Sequence, residues 1–173
     1  ATTGVPASAT APAIIESVRL AVEHTRAGKA AAVVTNPIAK ALLYRAGFMH
    51  PGHTEYLAEL SADGGAAPRP VMMLVGGGLR VALVTIHQPL AKVVTSLTPA
   101  LIAEIGGIVG EAMKRDFGIA NPRLALAALN PHAGEGGKFG SEETRIIAPA
   151  IAALRAEGIA VTGPHPADAL FTA

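Results

Sequence analysis

The chain has 173 residues, half of them hydrophobic, and a formal net charge of +1. That is enough apolar material for a core in one domain or in part of a larger one. No cluster of Lys and Arg with interleaved aromatics is present, which argues against electrostatically driven nucleic-acid binding. With no Cys, disulfide scaffolds and thiolate metal sites are excluded, and any metal must sit on His, Asp, Glu or water. No apolar run approaches the roughly 18 residues of a spanning helix, and no basic start precedes an apolar segment. The expectation is a soluble, cytoplasmic protein with no membrane partner.

In chain order, residues 1–11 read as a loop lead-in with little apolar content. Ile14, Val18, Ala21, Val22 and Thr25 recur at helical spacing, with Ser8 or Thr10 as a candidate cap and Gly28 as the stop. Residues 30–34 are a short buried-strand signal ending at Thr35-Asn36-Pro37. A helix over residues 39–44 is closed by Gly47, and a second short helix begins near His53 and runs to about Leu60. Strands are predicted over 71–75 and 79–86, joined by a hairpin turn through Gly76-Gly77-Gly78. Thr98-Pro99 opens a long helix with the apolar stripe Ile102, Ile105, Val109 and Met113. A strand over 123–129, a Gly-rich loop over 130–140, a helix from Ser141 to about Glu157 and a strand over 159–161 complete the chain. Alternating strands and helices with one hairpin predict an α/β fold, a mixed sheet flanked by helices. Ligands of such sheets bind at the carboxyl ends of the strands.

The polar residues of interest cluster at such ends. His87 and His132 each follow an apolar strand, and neutral imidazole is a common ligand of divalent metals, although a loop His is more often simply solvated. His53 and Thr54 follow Pro51-Gly52 at a helix start, which suits an anion such as phosphate or carboxylate; the alternative is an ordinary cap by Thr54. The run Gly134-Glu135-Gly136-Gly137 could wrap an anion or be a plain flexible loop, and it lacks the ending of a Walker loop. Lys40 could face a cleft, but such a Lys is more often solvated. Asp168 is a turn residue by default, while His24, His50 and His165 read as structural. No Gly-x-Ser-x-Gly elbow supports a hydrolase.

Jointly these segments are more specific. Val34-Thr35-Asn36-Pro37-Ile38-Ala39-Lys40, Pro51-Gly52-His53-Thr54-Glu55, Val71-Met72-Met73-Leu74, Thr85-Ile86-His87-Gln88-Pro89-Leu90, Leu129-Asn130-Pro131-His132-Ala133-Gly134-Glu135 and Gly163-Pro164-His165-Pro166-Ala167-Asp168 stand in the order of the 4-hydroxythreonine-4-phosphate dehydrogenases. The chain resembles that family from about residue 12 to about residue 171. The resemblance implies an isocitrate/isopropylmalate dehydrogenase-like fold, incomplete here, and a homodimer with the active site at the subunit interface. It implies oxidation of a phosphorylated small molecule, 4-phosphooxy-L-threonine, with NAD and a divalent metal (Zn, Mg or Mn), in vitamin B6 biosynthesis. It implies substrate binding by His53 and Thr54, metal binding by His87 and His132, and an acid/base or supporting role for Asp168; it identifies no residue that would hold NAD. The family's third metal histidine and its later Lys, Asn and Arg find no match in the sequence. Residues 12–173 are therefore expected to be the central portion of a longer enzyme, with little activity alone. A paralogue acting on threonate or erythronate 4-phosphate, a non-catalytic metal- or phosphate-binding fragment and a fold-related phosphate acyltransferase are the competing readings.

Overall fold

A computed structural model describes residues 8–171. The chain divides between Pro70 and Val71 into two compact units.

The first unit is helical. Ser8–Thr10 form a single tight turn leading into α1, Ala11–Arg26. Residues 8–11 of the expected loop lead-in are thus already helical, and residues 1–7 lie outside the described residues. Helix α1 ends at Ala27, and Gly28 (φ 70°) turns the chain away with Lys29 N–H donating to the His24 carbonyl. Helices α2, Lys40–Arg45, and α3, His53–Leu60, follow. Ala11, Val18, Leu43, Phe48 and Tyr56 form the core against which Ile14, Ile15, Ile38, Leu57 and Leu60 pack. The strand expected over 30–34 does not form: this stretch has no regular structure and Val34 is 95 % exposed. The physical reason is the ladder. A strand must hand its N–H and C=O groups to a neighbour, and the described residues of this unit contain no other strand.

The second unit holds the strands. β1, Met73–Gly76, pairs antiparallel with β2, Leu79–Ala82. Gly76 faces Leu79, so the turn is the two residues Gly77 and Gly78, with φ of 56° and 82°. Positive φ at both central positions matches the right-handed twist of a hairpin and favours glycine. The strand expected to reach residue 86 stops at Ala82, and residues 83–89 are irregular. After α4, Leu90–Ser96, the chain bends by 94° into α5, Pro99–Arg115. Thr98 caps α5, its hydroxyl accepting from Leu101 N–H at 3.1 Å. All four predicted stripe residues, Ile102, Ile105, Val109 and Met113, are buried. No single helix among the described residues is long and apolar enough to cross a membrane.

Strand β3, Arg123–Ala127, pairs parallel with β4, Ala160–His165. Between them lie a turn at Pro131–Gly137, a π-helical segment at Glu143–Ile147 and α6, Ala148–Ala156. The helix expected from Ser141 therefore begins as a π turn. The α/β character is borne out, with antiparallel and parallel pairing residing in two separate two-stranded sheets. Helices α5 and α6 meet at Gly106, where a Cβ would lie 2.7 Å from Leu154 Cδ1. Ile102, Ile147, Ala150, Ile151, Leu154 and Val161 make the core at this crossing. This packing fixes the helix that follows the loop bearing His132.

Candidate functional site

In the first unit, α3 begins at His53 with Gly52 at its cap position. Gly52 is extended (φ −162°), so glycine is needed there for space rather than for backbone freedom. A Cβ would lie 2.6 Å from Glu55 Oε2 and 3.5 Å from Lys40 Nζ. His53, Glu55 and Lys40 are therefore drawn together around one helix start. Thr54 is not the cap, which removes the ordinary reading of that hydroxyl. His53 Nε2 and Glu55 Oε2 are buried with no hydrogen-bond partner. Buried polar atoms are nearly always partnered, and each orphan costs about 1–3 kcal/mol, so the pair marks a place where a ligand group would complete the structure. The preceding loop is held firmly. Tyr44 donates to the Pro51 carbonyl at 2.7 Å. The His50 ring packs between Phe48 and Tyr56, with centroids 4.9 and 4.8 Å away, and its Nδ1 lies 3.1 Å from Glu59 Oε2. His50 is thus a packing residue.

In the second unit, His87 follows β2 after a short irregular stretch and is exposed. The segment after it is pinned by Gln88 Nε2 donating to Ser96 Oγ at 2.7 Å. His132 lies in the turn that follows β3 and is also exposed, its ring 6.3 Å from that of Phe139. Both histidines have φ of 52°. Left-handed backbone costs a non-glycine residue about 1–2 kcal/mol, and such outliers concentrate at functional sites. Among the described residues only four non-glycines adopt it: His87, His132, Ala133 and Glu135. Two are the predicted metal histidines, and the other two flank Gly134.

The Gly-rich loop expected over 130–140 is a left-handed turn. His132, Ala133, Gly134, Glu135 and Gly136 all have φ between 41° and 77° and ψ between −3° and 57°. A buried carboxylate stabilises it. Glu143, 5 % exposed, reaches back to the end of β3. Its Oε1 accepts from Leu129 N–H at 3.0 Å and Asn130 N–H at 2.7 Å, and its Oε2 accepts from Asn130 Nδ2 at 3.0 Å. The same amide donates to Glu142 Oε2 at 2.7 Å. Burial pushes the Glu143 carboxyl up, but the bonds from the Asn130 side chain and from backbone N–H groups outweigh it and hold the group below the usual carboxylate range. The Asn130 side chain likewise lowers Glu142. In the sequence Glu143 is simply an acidic residue in a first helical turn; the only local signal is the close spacing of Gly134, Gly136, Gly137 and Gly140 before it.

Asp168 is exposed in the turn after β4. His165 Nε2 lies 2.9 Å from Thr162 Oγ1, and its carbonyl accepts from Ala128 N–H at 2.7 Å, a structural role. His53 and Thr54 thus sit in one unit, and His87, His132 and Asp168 in the other. No three His, Asp or Glu side chains among the described residues converge as a metal-holding group. His87 and His132 fit a divalent metal as imidazole donors, but two are fewer than the three protein ligands of a catalytic zinc site.

The family model of the pyridoxal phosphate biosynthetic protein PdxA matches residues 1–173. The chain belongs to the PdxA family. It is 55% identical over 168 residues to the 4-hydroxythreonine-4-phosphate dehydrogenase of Bradyrhizobium diazoefficiens, covering 97% of this chain and 49% of that protein. It is 54% identical over 170 residues to that of Caulobacter vibrioides, covering 97% and 51%. A crystal structure of 4-hydroxythreonine-4-phosphate dehydrogenase from Klebsiella pneumoniae superimposes with a TM-score of 0.85 at 38% identity, over 95% of this chain and 49% of that one. A terephthalate 1,2-cis-dihydrodiol dehydrogenase from Burkholderia xenovorans LB400 matches with a TM-score of 0.71 at 30% identity, over 100% and 54%. This PdxA-family chain spans about half the length of the curated relatives it matches.

Proposed function

We propose that the protein carrying this chain is an NAD-dependent, divalent-metal-assisted 4-hydroxythreonine-4-phosphate dehydrogenase that works as a cytoplasmic homodimer. The observation that carries the proposal is the pair of histidines, His87 and His132, each held in left-handed backbone after a strand, in a chain of PdxA-family sequence throughout.

In this reading His87 and His132 present two imidazoles to a metal, and further ligands come from outside the described residues. A bound divalent metal supplies Lewis acidity, favouring ionisation of a secondary hydroxyl. His53 and Thr54, at the amino end of α3, bind the substrate, and the orphaned His53 Nε2 supplies an unused hydrogen-bonding position. NAD, when bound, would supply the oxidant that accepts the substrate C–H as hydride, while the hydroxyl proton passes to a base and the ketone forms. Release of carbon dioxide then breaks the bond to the carboxyl carbon. The freed electron pair forms an enolate, which takes up a proton to give 3-amino-2-oxopropyl phosphate. Asp168 is the residue assigned to hold or move a proton.

The test is NADH formation by the full-length protein on 4-phosphooxy-L-threonine. Turnover lost in His132→Asn, which keeps a residue tolerant of left-handed backbone, supports the assignment. A second reading, a paralogue acting on threonate or erythronate 4-phosphate, gains support from the likeness to a dehydrogenase named for a different substrate. Faster turnover of a hydroxy acid than of the amino acid selects that paralogue.

A further inference from the structure

We propose that Glu143 is a positioning residue for His132, acting through the end of β3 rather than by touching the imidazole. The inference rests on the reading of His132 as a metal ligand.

The left-handed turn has a short lead. Leu129 and Asn130 come off β3, Pro131 follows with its φ locked by the ring, and His132 is next. One carboxylate fixes the two residues before the proline, through Leu129 N–H, Asn130 N–H and Asn130 Nδ2. The same carboxylate also shapes the turn beyond His132. Gly134 is buried and passes so close that a Cβ would lie 2.8 Å from Glu143 Oε2 and 3.2 Å from the Gly140 carbonyl oxygen. At Gly140, where the loop closes, a Cβ would lie 2.5 Å from Asn130 Nδ2. Glu143 itself is anchored. It opens the π-helical segment that continues into α6, whose Ala150, Ile151 and Leu154 are core residues. π turns are rare and frequently fall at functional sites.

One side chain therefore ties a strand end, a left-handed turn and a core helix into a single frame, and His132 projects from it. The His132 imidazole is exposed, with the Phe139 ring 6.3 Å away, so its place depends on this frame. Chemistry also explains why the residue is a carboxylate. Both oxygens face donors, and Asn130 Nδ2 spends its other hydrogen on Glu142. Glutamine has the same shape but would turn an NH2 towards the Asn130 NH2. One of the two amides must then flip, and a bond is lost.

The experiment compares Glu143→Gln with the parent in the full-length protein, using zinc titration against a chromophoric chelator and amide hydrogen exchange at residues 131–137. His132→Asn sets the reference for loss of the imidazole. Residues that orient metal ligands typically change affinity ~10–100-fold. The expected result is zinc affinity weakened ~10-fold or more and faster exchange in the turn, at a temperature where circular dichroism shows Glu143→Gln folded. A role in bulk stability alone would lower the melting temperature and leave zinc affinity within about twofold of the parent. That result, with His132→Asn still impaired, overturns the proposal. Unchanged zinc affinity in His132→Asn overturns instead the reading of His132 as a ligand. Should Glu143→Gln fail to fold, Asn130→Ala keeps both backbone donors to Glu143, removes only the side-chain donor, and is judged by the same two readouts.

Discussion

Substituting Gly134 with alanine tests the frame around His132 most sharply, because a neighbouring glycine provides its control. Gly134 and Gly136 have nearly the same backbone, with φ of 77° and 67°. Alanine at either position bears the left-handed penalty of about 1–2 kcal/mol. Only at Gly134 does the new methyl meet anything. It would lie 2.8 Å from Oε2 of Glu143, a carboxylate held by three hydrogen bonds across its two oxygens, and 3.2 Å from a backbone oxygen, whereas nothing stands within 4 Å at Gly136. Neither neighbour is the free end of a flexible side chain, so the overpacking cost of about 1–3 kcal/mol applies in addition. Gly136→Ala is therefore expected to lose about 1–2 kcal/mol and Gly134→Ala about 2–5 kcal/mol. Urea unfolding followed by far-UV circular dichroism measures both, with the difference read from the midpoints at constant slope. Equal losses in the two variants, or a milder loss at Gly134, would refute the claim that Gly134 packs beneath a fixed carboxylate.

Three further outcomes follow from the second unit. Leu154, with no exposed surface, is expected to cost about 2–5 kcal/mol as Leu154→Ala. Gly106→Ala placed in that background should cost less than it does alone, because its methyl enters space the leucine vacated; an additive double-mutant cycle in chemical denaturation contradicts this. Since the Glu143 carboxyl is held below the usual range, its contribution to stability is complete above the unfolded value of about 4.3 and is lost as pH falls through the lower folded value. Glu143→Gln is therefore expected to flatten the acid limb of a stability-versus-pH curve, and an unchanged limb counts against the network. Thr98→Ala removes the α5 cap and is expected to lower stability by about 0.5–2 kcal/mol, which thermal melts would register.

What could be read from the sequence follows physical range. The stripe on α5 and the Gly77-Gly78 turn are set by residues within a few positions of each other, and both were legible. Residues 30–34 have the composition of a strand, but a strand exists only with a partner, and composition names none. His87 and His132 were visible as residue types after strands, yet their shared left-handed backbone was not, because His132 has glycines close by in the sequence and His87 has none. The role of Glu143 is hidden for a related reason. Local rules assign an acidic residue at a helix start to that helix, whereas its partners are Leu129 and Asn130, 14 and 13 residues earlier.

The most direct measurement of the central claim is divalent metal content of the full-length protein together with NADH formation from 4-phosphooxy-L-threonine, for the parent and His132→Asn. The expected result is ~1 metal per chain in the parent, with both metal and turnover lost in the variant. Undiminished turnover in metal-free protein or in His132→Asn would contradict it.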